Sequence, residues 1–333
     1  MAYSWFKKLL IYLVVLILAF ILSEICVRVF LDFPVLGFGK SYHIYPNDKT
    51  RHAPVYENAV FPHAKYYSTE AGYHVYRKNN LGLQGLDVTL KPGNQYIYVM
   101  GNSFVEARAS KPEDIGTSVF MQKLQDVLSD KYQVINIGLG AQIPYYDWCR
   151  LSYWSRRIKP DYVVLILTDV TITNMMNNQK FDYVLPDHFS AEVSDWKFNV
   201  VKQICNHSAF ANLVRVSFRK TGITAPANKR EKIFFRPYDD YLFTPESYEA
   251  LMSTLKEYHK RYGDRFMCFS LMNNTCNKIT SADCKKLGIN FAYDGDLKNM
   301  NDYIIAGGAH FNEAGNMVLG NDLFHAFQGF YHQ

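Results

Sequence analysis

The chain has 333 residues and a mass of 38.6 kDa, with 48% hydrophobic and 20% charged residues. This composition excludes a globally disordered chain and is sufficient for one large domain with a filled core. The chain has 36 Lys and Arg residues against 31 Asp and Glu residues, so its net charge is only +5. Because nucleic-acid binders concentrate more positive charge, we expect no nucleic-acid partner.

The first predicted element is an apolar segment at the N-terminus. Residues 9–22 are uninterrupted apolar residues, and a helix over 9–31 reaches about 34 Å, which is enough to cross a bilayer. Lys7 and Lys8 favour a cytoplasmic location for residues 1–8. We interpret 9–31 as an uncleaved transmembrane signal anchor in the cell membrane, with the main domain on the periplasmic or cell-surface side. A cleaved signal peptide and a buried core helix are the alternatives.

Two charged residues interrupt this apolar segment. Glu24 and Arg28 stand four residues apart, so in a helix they can pair on one face or extend towards the far interface. Cys26 follows Ile25, where a lipoprotein signal has a small residue, so we expect no lipidation. The cysteines beyond the segment show neither metal-ligand spacing nor a readable disulfide framework. They are Cys149, Cys205, Cys268, Cys276 and Cys284.

Residues 32–92 are predicted to form a stem or leading subdomain, because they are rich in proline and tyrosine. The tyrosines could line a glycan-binding surface, but we favour packing against the main domain. From residue 93 to 333, strands and helices alternate, with a less regular insertion at about 170–244. The predicted strands are 96–100, 134–137, 162–167, 265–271 and 289–293, and the predicted helices are 114–130, 146–158, 245–262, 281–286 and 312–328.

Strands separated by helices require parallel crossovers. The continuous apolar run at 162–167 (YVVLIL) is typical of a strand buried on both faces of a parallel sheet. The pattern therefore predicts a three-layer α/β/α sandwich preceded by an N-terminal transmembrane helix.

Polar and glycine residues follow the predicted strands, at the sheet edge where active groups of parallel sheets collect. The first strand is followed by Gly-Asn-Ser-Phe at 101–104, the second by Gly-Leu-Gly-Ala at 138–141, and the third by Thr168 and Asp169. His310 stands in a glycine-rich loop before the last helix. A serine nucleophile, a loop of backbone donors and a late histidine base are the parts of acyl transfer.

These motifs resemble those of the SGNH (GDSL-type) hydrolase family, including its membrane-anchored extracytoplasmic subgroup found with polysaccharide modification. The resemblance covers about residues 80–333. Residues 79–85 lead into the first strand as in that subgroup, and 101–104 stand where the family has Gly-Asp-Ser-Phe. His310-Phe311-Asn312, followed by Gly315, is similar to the family's terminal histidine block. The family fold is a flavodoxin-like sandwich.

The resemblance implies a role for each matching residue. Ser103 would be the nucleophile and, through its N–H, the first oxyanion donor, and His310 would be the general base. The other oxyanion donors of the family fall at Ala141 and Thr168. No dinucleotide or phosphate-binding glycine loop is present, and we expect neither a cofactor nor a metal.

The chain also departs from the family pattern. Asn102 replaces the aspartate of the first block, Thr168 the block III asparagine, and Ala141 the block II glycine. The acid expected three residues before the histidine is Gly307. The candidate substitutes for that acid are Asp294, Asp296 and Asp302.

Two functions follow from this pattern. The first is a membrane-anchored SGNH-type esterase or O-acyltransferase that acts, through Ser103 and His310, on acyl groups of an extracytoplasmic glycan or on another small ester. The second is a non-catalytic SGNH-like glycan-binding or assembly factor in polysaccharide biosynthesis, with degenerate catalytic blocks. Polysaccharide-assembly proteins are expected partners in either case.

Overall fold

A computed structural model describes most of the chain. The described residues are 2–31, 38–46, 55–60, 62–63, 65–68, 74–140, 144–168, 189–193, 200, 204–205, 207–220, 245–271, 274–293, 303–305 and 310–332. The helices are α1 (Ala2–Phe30), α2 (Ser103–Glu106), α3 (Gly116–Val127), α4 (Pro144–Ser155), α5 (Ala209–Lys220), α6 (Pro245–Tyr262), α7 (Asn274–Lys286) and α8 (Glu313–Tyr331). The strands are β1 (Phe38–Pro46), β2 (Val55–Val60), β3 (Lys65–Ser68), β4 (His74–Arg77), β5 (Gln95–Met100), β6 (Tyr132–Asn136), β7 (Tyr162–Leu167), β8 (Phe189–Val193), β9 (Phe266–Ser270) and β10 (Asn290–Tyr293).

The centre of the fold is a five-stranded sheet with the order β10-β9-β7-β5-β6. All four strand pairs in it are parallel. After β6 the chain crosses to the other side of β5 to form β7, so the winding reverses between β5 and β7. This order is the flavodoxin-like one, in which ligands bind at the strand ends beside the reversal.

Both faces of the sheet are covered by helices. Along β7, Val163 and Leu165 pack with α4, α6 and α7 on one face, whereas Val164 and Ile166 pack with α2, α3 and α8 on the other. A strand buried on both faces needs apolar residues at every position, which explains its unbroken apolar sequence. The predicted three-layer α/β/α sandwich is confirmed.

Helices α3 and α8 cross at very short distance, and two glycines permit it. A Cβ added to Gly320 would lie 2.5 Å from Cβ of Val119, and one added to Gly116 would lie 2.8 Å from Cδ2 of Leu319. The Asn316 side chain completes the contact by accepting a hydrogen bond from the N–H of Gly116 at 3.1 Å. The last helix is thereby fixed against the sandwich.

Some elements differ from the sequence prediction. Helix α7 begins at Asn274 rather than near residue 281, and the short helix α2 and helix α5 were not predicted. Two further sheets, both antiparallel, lie outside the sandwich: β3 pairs with β4, and β1 pairs with both β2 and β8. Strand β8 lies in the predicted insertion, so the segment after α1 and the insertion are joined through one sheet. Most tyrosine side chains of the predicted glycan surface lie outside the described residues.

Helix α1 is long and apolar enough to cross a membrane. Its candidate span is Trp5–Phe30, with a mean hydropathy of 2.8 and 6% of the span buried. Most of its apolar side chains are exposed, as a lipid-facing helix requires. Its C-terminal third contacts α5, through Val27 against Ala209.

Candidate active site

The predicted site residues that the structure describes lie at the carboxyl edge of the central sheet. Ser103 begins α2 directly after β5, and Thr168 directly follows β7. These two strands flank the reversal of the winding, which is where doubly wound sheets place their ligands. The edge is therefore the candidate active site.

The turn between β5 and α2 is set by Gly101 and Asn102. Gly101 has a φ of +149°, and a Cβ there would lie 2.7 Å from Cγ2 of Val105 and 2.9 Å from the carbonyl oxygen of Ile166. Only glycine fits this turn. Asn102 then caps α2, because its Oδ1 accepts the N–H of Phe104 at 3.1 Å.

This cap leaves Ser103 without hydrogen bonds from its reactive atoms. The Asn102 carbonyl accepts the N–H groups of Val105 and Glu106, and the Ser103 carbonyl accepts that of Ala107. Among the described residues, neither the N–H nor the hydroxyl of Ser103 has a hydrogen-bond partner. A half-buried serine at the start of a helix can thus present both groups to a ligand.

The two departures from the family pattern at this edge are in direct contact. The Asn102 amide Nδ2 donates a hydrogen bond to Oγ1 of Thr168 at 2.6 Å, and both residues are buried. An aspartate at 102 could not donate this bond, since an ionised carboxylate only accepts. The asparagine and the threonine therefore fit each other, and they hold the ends of β5 and β7 together.

The glycine loop after β6 passes directly over α2. A Cβ on Gly138 would lie 2.6 Å from Cβ of Val105, and one on Gly140 would lie 3.6 Å from Cβ of Ser103. Asn136 fixes the loop, since its Oδ1 accepts the N–H of Gly138 at 2.9 Å and its Nδ2 donates to the carbonyl of Val105 at 2.7 Å. A side chain at Gly138 would therefore clash with α2, whereas a Cβ at Gly140 would make an ordinary van der Waals contact with Ser103.

A buried carboxylate, at a position that no sequence motif marks, holds this loop. Glu106 is 6% exposed, and its Oε2 accepts the N–H of Gly140 at 2.8 Å. Its Oε1 accepts a hydrogen bond from Nε of Arg108 at 2.5 Å. The N–H of Gly140 is thus committed to Glu106, and the next donor along the loop is residue 141.

A second buried acid lies behind the turn that precedes Ser103. Asp147, on α4, is 1% exposed and accepts a backbone hydrogen bond from Gly101. Burial raises the pKa of Asp147 to about 7, although the Arg150 guanidinium and the Gly101 N–H favour its charged form. Its Oδ1 has no hydrogen-bond partner among the described residues. Arg150 is itself buried and donates to the carbonyl of Ile137, so α4 is bonded to the ends of both β5 and β6.

His310 is brought to the same edge by a short antiparallel bridge before α8. Ile304 pairs with Phe311, and the N–H of Ile305 donates to the His310 carbonyl at 2.9 Å. The His310 ring lies against the ring of Phe104, the residue after the serine, with 5.9 Å between centroids. Phe104 also contacts Phe311 at 4.8 Å and so links α2 to the histidine loop.

The other two residues of the terminal histidine motif, Asn312 and Gly315, fix the start of α8. Asn312 caps α8 by accepting the N–H of Gly315 at 2.9 Å, and its own N–H donates to the Tyr303 carbonyl at 2.8 Å. A Cβ on Gly315 would lie 2.5 Å from that same carbonyl oxygen. These contacts hold the start of α8 against residues 303–305, which pair with His310 and Phe311.

The structure describes only part of the predicted catalytic set. It places Ser103, Thr168 and His310 at one edge, but the Ser103 hydroxyl and the His310 ring, both described, are not hydrogen bonded to each other. Such bonds are often long without substrate and shorten when substrate binds. Among the described residues, no group of three or more His, Cys, Asp or Glu side chains is arranged to hold a metal ion. The predicted residues outside the described part of the chain are Ala141, Asp169, Asp294, Asp296, Asp302 and Gly307.

The fold and this edge together define a doubly wound α/β protein with a serine at its switch point. No family model matches the sequence, and no curated protein matches it. Similar solved structures include TesA, with 12% identity over 71% of this chain and 99% of that chain at a TM-score of 0.42. The esterase EstA from Pseudoalteromonas sp. has 9% identity over 72% of this chain and 100% of its own, with a TM-score of 0.41.

A further similar structure is that of a catalytic mutant of Axe2, an acetylxylan esterase from Geobacillus stearothermophilus. It has 14% identity over 73% of this chain and 96% of its own, with a TM-score of 0.38. These matches are distant in sequence and in geometry.

Proposed function

We propose that the chain is an SGNH-type esterase or O-acyltransferase that uses Ser103 as its nucleophile. The observation that carries the proposal is Ser103 itself, at the switch point of the sheet, with an unbonded N–H and hydroxyl and with the His310 ring packed on the next residue. A serine in this position can combine nucleophilic attack with oxyanion stabilisation by its own N–H.

The reaction begins when the Ser103 hydroxyl oxygen attacks the ester carbonyl and His310 accepts its proton. The N–H of Ser103, the N–H of Ala141 and the hydroxyl of Thr168 stabilise the oxyanion. His310 then gives the proton to the departing alcohol, leaving an acyl group on Ser103. Water completes a hydrolysis and releases the acid, whereas a glycan hydroxyl completes a transfer and carries the acyl group away.

We further propose that α1 anchors the protein in the membrane, with the sandwich on the extracytoplasmic side. Its length and exposed apolar surface support a membrane span, and Lys7 and Lys8 at its start support this orientation. Esters found on that side of a membrane include acyl groups on surface glycans. An acylated glycan is therefore the proposed substrate, and polysaccharide-assembly proteins are the proposed partners.

The test is covalent trapping of Ser103 in the full-length chain, because a fluorophosphonate labels only an activated hydroxyl. We expect labelling of the wild type and hydrolysis of a short-chain nitrophenyl ester, with Ser103→Ala losing the label and at least about 10³-fold in rate. Ser129→Ala is the matched control, since Ser129 precedes β6 at the opposite edge of the sheet. Equal labelling of the wild type and Ser103→Ala would refute a catalytic role for this serine.

A second function is favoured by the hydrogen bonds around the serine. Glu106 occupies the N–H of Gly140, and Asn102 and Thr168 are paired with each other, so a degenerate pocket that binds without cleaving is the rival. A glycan-binding or assembly factor would remain unlabelled by the fluorophosphonate. It would bind an acetylated oligosaccharide equally well in the wild type and in Ser103→Ala.

A further inference from the structure

A cavity of about 340 Å³ lies at the amino edge of the central sheet, opposite to the edge that holds Ser103. It is bounded by the ends of α4 and α6 and by the segments that lead into β7 and β9. Its volume falls within the range of about 300–1,000 Å³ that small-molecule sites occupy. The lining residues are Ser155, Lys159, Pro160, Arg261, Tyr262 and Arg265.

The lining carries three positive charges and no negative one. The side chains of Lys159 and Arg265 are exposed, and neither forms a hydrogen bond or an ion pair with a described residue. The acids nearest to them in the sequence, Asp161 and Asp264, do not line the cavity, and the Asp161 carboxylate accepts the N–H of Tyr96 at 2.9 Å. Cations gathered in a concave surface without acids attract an anion.

The third cation, Arg261, is oriented by aromatic side chains. Its Nε donates to the Tyr262 hydroxyl at 3.2 Å, and its guanidinium carbon lies 5.4 Å from the centre of the Tyr262 ring and 5.7 Å from that of Trp148. Its terminal Nη groups have no hydrogen-bond partner in the described part of the chain. They are thus held ready as a two-pronged donor, the geometry that suits an oxyanion.

Tyr262 supplies a further donor to the same cavity. It is only 8% exposed, and its hydroxyl oxygen accepts the bond from Arg261. The hydroxyl hydrogen is donated to no described residue, so it can be given to a ligand. A buried polar group with an unused donor indicates that the cavity is suited to a polar occupant.

Helix dipoles account for only one of the three cations. The last turn of a helix favours positive side chains, and Arg261 lies in the last turn of α6. Lys159 lies beyond the end of α4, however, and Arg265 lies beyond the end of α6. A bound anion would supply the negative charge that all three cations lack among the described residues.

We propose that this cavity binds a phosphate monoester, such as a sugar phosphate. A phosphate monoester carries a charge of about −1.5 to −2 at pH 7 and three acceptor oxygens, so it can use all three cations. A carboxylate or a phosphate diester carries a single negative charge and would use them less fully. Arg261 holds two of the phosphate oxygens through its Nη groups, and Lys159 and Arg265 neutralise the remaining charge. Because the cavity and Ser103 lie at opposite edges of the sheet, the ligand does not compete with an ester for the candidate active site.

The test is titration calorimetry of the full chain in an uncharged maltoside detergent, with glucose 1-phosphate as the ligand. We expect saturable binding to the wild type. Arg261→Gln and Arg265→Gln should each raise the Kd by about tenfold or more, because each removes charge-assisted hydrogen bonds. Arg261→Lys should also weaken binding, since it keeps the charge but loses the two-pronged donor. The matched control is Lys123→Gln, an exposed cation on α3, on the other face of the sheet, and it should bind as the wild type does.

Three results would overturn the proposal: no saturable binding to the wild type, equal weakening by Lys123→Gln and Arg265→Gln, or loss of binding in Ser103→Ala. The last result would place the phosphate at the candidate active site instead. Glycerophosphoglycerol, the diester headgroup of a phospholipid, and acetate should both bind several-fold more weakly than glucose 1-phosphate. Equal or tighter binding of either would overturn the assignment to a phosphate monoester.

Discussion

Glu106 fixes the position of the glycine loop over Ser103, the proposed nucleophile. Its buried carboxylate holds the N–H of Gly140, and a Cβ on that glycine would lie within 4 Å of both the carboxylate and Cβ of Ser103. The bond therefore positions the backbone immediately before Ala141, the proposed oxyanion donor. We therefore expect Glu106 to act through the loop, as a positioning residue.

Glu106→Ala should lower kcat of ester hydrolysis by at least about tenfold, or about 1.4 kcal/mol, with little change in KM. Glu106→Gln should retain most of the activity, because its amide oxygen still accepts the Gly140 N–H. The measurement is steady-state hydrolysis of a nitrophenyl ester, with the exposed Glu113→Ala as the control. Equal activity of the alanine and glutamine variants would argue against the positioning role.

Asp147 makes stability depend on pH in a defined direction. The native state keeps its proton up to the raised pKa of about 7, whereas the unfolded chain loses it at an ordinary aspartate pKa near 3.8. Between these values the native state binds more protons, so stability falls as the pH rises. The destabilisation is complete above about pH 7 and absent below the unfolded pKa.

We expect the free energy of unfolding to fall by about 2 kcal/mol more between pH 5 and pH 8 in the wild type than in Asp147→Asn. Denaturant titrations of the detergent-solubilised full chain at the two pH values measure this difference. Asp130→Asn, at an exposed acid after α3, should behave as the wild type. A wild-type pH dependence unchanged by Asp147→Asn would mean that this carboxyl titrates normally.

At the scale of elements, the crossing of α3 and α8 depends on glycine. Gly320→Ala would place a methyl group 2.5 Å from Cβ of Val119 and 2.7 Å from the carbonyl oxygen of Gly116, so the helices must separate. We expect a loss of about 2–3 kcal/mol in the free energy of unfolding. Gly329→Ala is the matched control on the same helix, because a Cβ there meets no atom within 4 Å.

The control should stabilise the protein by about 0.5–1 kcal/mol, since alanine is the better helix former. Both variants can be compared with the wild type by thermal unfolding in detergent. If Gly320→Ala were as stable as Gly329→Ala, the close crossing of the two helices would be wrong.

Elements whose signal is local could be predicted from the sequence. The unbroken apolar run gave β7, and helical spacing after Pro245 gave α6 with its observed ends, 245–262. Helix α2 has four residues, too few for a periodic pattern, and is defined by the Asn102 cap. Helix α5 depends on a cap supplied by Glu24, which no local pattern reveals.

The same distinction applies to the candidate site. Ser103 and Thr168 could be named because each follows a predicted strand, and His310 because it stands in a glycine-rich loop before the last helix. Glu106 and Asp147 could not be named from the sequence, because the role of each depends on a backbone N–H that only the folded chain brings near. For Glu106 this is the N–H of Gly140, and for Asp147 it is the N–H of Gly101. Burial and hydrogen-bond partners set the role of a carboxylate, and the residues beside it in the sequence predict neither.

At the scale of the whole molecule, the proposed anchor predicts which compartment the sandwich occupies. With Lys7 and Lys8 retained on the cytoplasmic side, a C-terminal alkaline phosphatase fusion in a bacterium should be active and a β-galactosidase fusion inactive. Replacing both lysines with alanine should reduce the phosphatase activity, since the orientation signal is weakened. An active β-galactosidase fusion to the wild-type chain would place the sandwich in the cytoplasm.

The sheet formed by β1, β2 and β8 imposes an order on folding. Tyr42 of β1 pairs with Val193 of β8, and β5, β6 and β7 all lie between them in the chain. If residues 1–8 stay in the cytoplasm and the chain emerges from residue 32 onward, the β1–β2 hairpin can close at once, but β1 can pair with β8 only after β5, β6 and β7 have emerged. During that interval β1 has an unpaired edge, and with α1 as the proposed anchor this edge would lie close to the membrane, so we expect chaperone contact and aggregation to begin at this hairpin.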